Sequence, residues 1–166
     1  MRLFIGSYAR VEFYEEIRRD LTPLFEGRWV EPRNLHLTWY FLGDLPDAAP
    51  IIDRLQPLKL IPRLPLSIQG IGTFGRPDPK VLYLKTARVV PTILHEKIAE
   101  LLEREPEERF HPHITLARIK KGGGKALRTI ERPWMSEPLG LVEPDIYLIE
   151  SRLGPGGPIY IPLEQF

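Results

Sequence analysis

Two short segments constrain this chain more than any other feature: Asn34-Leu35-His36-Leu37-Thr38 and Pro112-His113-Ile114-Thr115-Leu116 each set a histidine two residues before a threonine inside an apolar, strand-like run. With four histidines and seven threonines in 166 residues, chance placement gives about 0.2 occurrences of His-x-Thr, so two is an excess. In a strand, residues i and i+2 share a face. Each histidine therefore stands beside its threonine hydroxyl, while Leu35, Leu37 and Trp39, or Pro112, Ile114 and Leu116, turn the other way toward a core. The copies lie 77 positions apart, too far for neighbouring repeats of a solenoid and natural for two halves of one domain.

Between and around the two copies, short strands and helices follow one another without strict alternation. Arg2 to Tyr8, Leu35 to Leu42, Leu64 to Gly70, Val81 to Lys85 and His113 to Ile119 read as strands. Asp145 to Leu153 and Pro158 to Leu163 flank Gly154-Pro155-Gly156-Gly157 and read as a closing hairpin. Helical spacing links Tyr14, Ile17, Leu21, Leu24 and Phe25. Asp47 offers an N-cap to a short helix ending before Pro57, and a third helix carries Leu94, Ile98, Leu101 and Leu102 behind Pro91 in its first turn. His95, beside Glu96 and Lys97, is expected at the surface. This pattern predicts an α+β fold with largely antiparallel sheet, organised as one domain over residues 1–166.

Composition narrows the chemistry. The chain has no cysteine, which removes disulfides, thiol nucleophiles and thiolate zinc sites. A net charge of +1 supplies no global pull on a polyanion, so any such site must come from local cations. No apolar stretch reaches the ~18 residues of a spanning helix, and Met1 to Tyr8 lacks the apolar core of a signal peptide. A cytoplasmic protein without a membrane partner is expected.

If the two motif strands lie side by side about a pseudo-two-fold, two imidazoles and two hydroxyls face a small space, a clamp for a tetrahedral anion. Histidine, with an ordinary pKa near 6.5, lets one ring be neutral and its twin protonated near neutral pH. In-line displacement at phosphorus requires such a base and acid on opposite sides, with the hydroxyls of Thr38 and Thr115 donating to non-bridging oxygens. His36 and His113 are the candidate acid and base; their chemistry alone does not assign which is which. His111 shares a face with His113 and, with His36, offers an alternative imidazole set for zinc, but no carboxylate motif accompanies it, and the expectation is no cofactor. Strict alternation puts Arg118 on the face opposite His113, and only a bulge or strand end turns it inward to steer a phosphate. Tyr40 alternates onto the face of His36, to stack a nucleobase or to pack in the core. Lys120, Lys121, Lys125, Arg128 and Arg132 form a cationic stretch, either a solvated loop or a contact with RNA phosphates outside the cleft.

The ordered set Arg2-Leu3-Phe4-Ile5, Arg28-Trp29-Val30, Asn34 to Thr38, Phe41-Leu42-Gly43, Phe110 to Arg118 and Glu150-Ser151-Arg152-Leu153 resembles the two-histidine phosphoesterases. Within them it is similar to the bacterial and archaeal RNA 2′,3′-cyclic phosphodiesterases long named 2′-5′ RNA ligases. The resemblance spans nearly the whole chain. It implies a bilobal α+β body in which two antiparallel sheets with flanking helices surround a central cleft about a pseudo-two-fold. It also implies His36 as proton donor to a leaving 3′ oxygen, His113 as acceptor from attacking water, and an RNA 2′-phosphate as product. The substrates so implied are RNA with 2′,3′-cyclic phosphate ends, such as tRNA halves, or cyclic nucleotides, handled by a monomer. Ligation through a 2′-5′ linkage is the reverse sense of the same chemistry, and a non-catalytic module gripping RNA phosphates is the alternative of a different class. The chain departs from the family pattern at Trp39, where a smaller aliphatic is commoner, and in a compact segment between Gly43 and Leu64.

Overall fold

A computed structural model describes residues 1–128, 134 and 138–166; Arg132 of the cationic stretch lies outside them. The strands are β1 (Arg2–Val11), β2 (Phe25–Trp29), β3 (His36–Asp44), β4 (Leu66–Phe74), β5 (Val81–Thr86), β6 (His113–Gly122), β7 (Pro138–Val142), β8 (Tyr147–Gly154) and β9 (Gly157–Gln165). The helices are α1 (Tyr14–Leu21), α2 (Ala49–Leu55), α3 (Val89–Leu101) and α4 (Gly124–Arg128).

Every strand pairing is antiparallel, as short connections and hairpins allow. Two sheets can be recognised, β3-β1-β8-β9 and β2-β6-β5-β4, one carrying each motif. They are not separate. β7 pairs with both β1 and β4, and β3 meets β6 at a single pair, Leu37 opposite Ile114. Six strands, β1-β3-β6-β5-β4-β7, thereby close a ring, from which β2 and the β8–β9 hairpin branch.

The alternation read from the motifs sets the core. Leu35, Leu37, Trp39, Ile114 and Leu116 are buried together with Leu3, Ile5, Leu82, Leu84 and Leu148, while His36, Thr38, His113 and Thr115 are only partly buried on the other face. Trp39 is accommodated because its indole N–H donates to Ser7 Oγ (2.8 Å), and that hydroxyl donates to the Asp145 carbonyl (2.6 Å). A buried indole is stable when its N–H finds a partner. Helix α1 buries Tyr14, Ile17 and Leu21; the N-cap of α2 is Ala48 rather than the expected Asp47, which stands one residue earlier and accepts from Ala49 N–H in an Asx turn.

Three further local expectations are corrected. Phe25 belongs to β2 rather than to the preceding helix: Pro23 ends helical structure in one 3₁₀ turn, and the chain then pairs with β6. β7 is short and carries Pro138 and Gly140, so propensity gave no sign of it. His95 is 1% exposed rather than at the surface, because Pro91, His95 and Ile98 recur at three- and four-residue spacing along the inward face of α3. Its Nδ1 donates to the Trp39 carbonyl (2.7 Å), its Nε2 accepts from Glu107 N–H (2.9 Å), and its ring lies between Phe110 and Tyr40.

Candidate active site

The Leu37–Ile114 pair fixes how the motifs meet. In that antiparallel register His36 falls opposite Thr115 and Thr38 opposite His113, so the histidines are diagonal neighbours on one face. Diagonal positions stand roughly 7–8 Å apart, which leaves room for one tetrahedral anion between the rings. All four side chains line a single cleft of about 1070 Å³.

Both rings are held the same way. His36 Nδ1 lies 2.7 Å from the Asn34 carbonyl, and His113 Nδ1 lies 2.7 Å from the His111 carbonyl, in each case two residues back along the chain. A carbonyl only accepts, so Nδ1 carries the proton and Nε2 is left as the nitrogen that exchanges protons with a ligand. Aromatic rings brace each imidazole. Phe4 and Tyr160 lie 4.9 and 5.1 Å from His36; Phe74 and Tyr83 lie 5.0 and 5.6 Å from His113. Tyr83 fits there because Gly72 has no side chain: a Cβ on it would come within 2.6 Å of the Tyr83 ring.

A bulge follows each threonine. On β3 the partner register slips between Thr38 and Tyr40, and on β6 between Thr115 and Ala117. One extra residue reverses the in–out alternation beyond it. The third cleft-facing position is therefore five residues after each histidine, Phe41 on β3 and Arg118 on β6. This turns Arg118 inward, the outcome that required a bulge. It also corrects Tyr40, which faces away from the cleft, stacks on His95 at 5.5 Å and donates its hydroxyl to the Glu105 carbonyl (2.8 Å). Phe41, 48% exposed and beneath the Arg2 guanidinium (5.2 Å), lines the cleft in its stead, and of the two roles open to Tyr40 its contacts are those of packing.

His111 does not join the other two rings around a common point: its Nδ1 accepts from Arg88 Nη2 (2.9 Å), and its ring centre is 6.2 Å from that of His113. Among the described residues no group of three or more His, Cys, Asp or Glu side chains converges. Lys120 and Lys121 lie in the last residues of β6 and Lys125 in the first turn of α4, all three exposed. Sequence reasoning missed Phe41, Arg28 and Tyr160 as parts of the cleft. The first is concealed by the bulge, and Tyr160 arrives on β9, 124 residues from His36, with no local signal.

Charge in the cleft is positive: Arg2, Arg18, Arg28 and Arg118 against Glu31 and Asp44. Burial is the largest influence on both catalytic candidates and pushes each imidazole below its ordinary value of 6.5. For His36 the neighbouring His113 and Arg118 press the same way, and for His113 Arg118 does, against the pull of the backbone carbonyls. The folded state thus binds fewer protons than the unfolded chain in the window below 6.5, and the sign of linkage makes stability fall as pH drops through it. Denaturant midpoints measured at about pH 5 and about pH 7.5 are expected to differ in that direction, with the difference reduced in His36→Gln; an equal or larger difference in the variant would contradict the assignment.

A cleft shared by two halves of an antiparallel body, with one histidine–threonine strand from each half, defines the class of two-histidine phosphoesterases. The sequence model of a family described as the 2′-5′ RNA ligase superfamily matches residues 8–128. Among curated relatives, the RNA 2′,3′-cyclic phosphodiesterase of Aquifex aeolicus is 33% identical, covering 100% of this chain and 96% of that protein. That of Aeropyrum pernix is 35% identical over 94% of this chain and 92% of its own length. Among solved structures, E. coli LigT complexed with 3′-AMP superposes with a TM-score of 0.69 at 25% identity, covering 99% of this chain and 96% of that one. TT0787 of Thermus thermophilus gives 0.66 at 27%, covering 100% and 97%. The chain belongs to the 2′-5′ RNA ligase superfamily.

Proposed function

We propose that this protein hydrolyses terminal RNA 2′,3′-cyclic phosphates to 2′-phosphomonoesters by acid–base catalysis without a metal. The observation that carries the reading is the matched pair of imidazoles, each tied through Nδ1 to a carbonyl and each offering Nε2 to the same cleft. In the reaction, His113 Nε2 takes a proton from water, the water oxygen bonds to phosphorus, the P–O3′ bond breaks, and His36 Nε2 protonates the departing 3′ oxygen. Thr38 and Thr115 donate to the non-bridging oxygens, whose negative charge is greatest in the transition state, and Arg118 steadies the phosphate with its planar fork. Phe41 supplies the aromatic face on which the terminal base stacks.

The two halves act as one bilobal unit over residues 1–166, since neither alone holds both an acid and a base. The partners that fit are RNA ends such as those of cleaved tRNA, or cyclic nucleotides, met in the cytoplasm by a monomer. No described helix is long and apolar enough to cross a membrane.

The test is incubation with adenosine 2′,3′-cyclic phosphate and with a short RNA bearing that end, with the product isomer read by phosphorus NMR. Release of the 2′-phosphate at a rate unaffected by EDTA is expected; activity abolished by EDTA and restored by zinc would overturn the metal-free mechanism. Since kcat/KM reports the free protein's acid and base, and both imidazoles lie below 6.5, its bell-shaped profile is expected to peak on the acid side of 6.5. Arg118→Gln removes a cation that disfavours protonation of both rings, so both limbs should move to higher pH, and a shift the other way would exclude that electrostatic link.

A further inference from the structure

Beyond Arg118 the cleft does not end. A second depression of about 360 Å³ lies over the β2–β6 pair and shares Gly27, Arg28 and Arg118 with the main cleft, continuing to Ile119 and Lys120. Its floor depends on Gly27, where a Cβ would stand 2.3 Å from the Arg118 carbonyl, so no side chain can rise from that position to divide the two spaces. The register slips here as well, between Glu26 and Gly27, leaving Lys120 as the extra residue on β6.

Three cations, Arg28, Arg118 and Lys120, border the depression against one acid, Glu26. Lys120 and Glu26 stand 3.7 Å apart with side chains 80% and 64% exposed. An ion pair so open to water holds its partner weakly, and a phosphate can take Glu26's place. The main cleft, at about 1070 Å³, already slightly exceeds the ~300–1,000 Å³ usual for small-ligand pockets, and the pseudo-symmetry is broken in a directed way. The β3 arm ends in an aromatic ring, Phe41, while the β6 arm ends in guanidinium and ammonium groups. One end suits a base and the other a second phosphate.

We propose that the groove over β2 and β6 holds the phosphodiester on the 5′ side of the reacting nucleotide, with Arg28 and Lys120 as its binding groups, so that oligoribonucleotides are preferred to mononucleotides. This rests on the phosphodiesterase reading above and names the substrate within it.

The experiment compares adenosine 2′,3′-cyclic phosphate with the dinucleotide ApA ending in a 2′,3′-cyclic phosphate. The dinucleotide is expected to have the higher kcat/KM, carried by KM. Its advantage should shrink with added salt by a slope of about 0.7 in log–log terms for the one extra phosphate contact. Lys120→Gln should cut the dinucleotide-to-mononucleotide ratio severalfold, and Lys120→Arg should restore it. Equal kcat/KM for the two substrates in the wild type, or a ratio untouched by Lys120→Gln, would overturn the subsite while leaving the phosphodiesterase reading intact. Hydrolysis of neither substrate would defeat both.

Discussion

Alanine at His113 or at His36 is expected to lower kcat/KM on a 2′,3′-cyclic nucleotide by ~10² to 10⁴, the range a single positioned acid or base supplies. In the proposed mechanism the two rings act as a unit, so the double variant should lose far less than the product of the single losses. Both side chains are partly buried but project from the face away from the core, so circular dichroism and the cooperative unfolding transition should survive in each variant. Steady-state kinetics on the two single variants and the double decide the matter. Activity within a few-fold of wild type in either single variant would remove that histidine from the chemistry. A non-catalytic phosphate-gripping module would instead show altered affinity with no turnover to lose.

Trp39→Ala is expected to be the most damaging change to stability, at about 3–5 kcal/mol, because it empties a large buried volume. The indole is 3% exposed and lies under the floor of the cleft. The same substitution strips Ser7 Oγ of its donor. Trp39→Phe should recover most of the packing and leave only that lost hydrogen bond, a cost of about 1 kcal/mol. Urea denaturation of the three proteins gives the comparison. A loss below about 1 kcal/mol in Trp39→Ala would mean that the site collapses around the vacancy, contrary to a floor fixed by the surrounding strands.

The motif strands were legible in the sequence because two independent signals coincide there, alternation of apolar residues and recurrence of His-x-Thr. Both depend only on neighbours in the chain. Their meeting at Leu37 and Ile114 could be expected only as a possibility, since a pairing 77 residues apart leaves no local trace. The bulges mark where sequence reasoning stops. Nothing in Thr38-Trp39-Tyr40-Phe41 tells which residue is the extra one, because bulge position is set by the partner strand, here β1, and not by the propensities of β3. Tyr40 and Phe41 exchange faces as a result. His95 shows the same limit in a helix: charged neighbours at the next two positions outweighed the three- and four-residue spacing that places its ring inward. β2 and β7 went unseen because each is five residues long and interrupted by glycine, and both are strands chiefly by virtue of what they pair with.

The closed circuit of six strands has a consequence for life in a crowded solution. Sheets recruit foreign chains through unpaired margins, and the strands at the two ends of the strand order are β2 and β9. The β2 margin is five residues long and carries Glu26 and Arg28. The β9 margin holds Pro158 and Pro162, which have no N–H to offer an incoming strand. Such margins are poor templates for edge-to-edge growth.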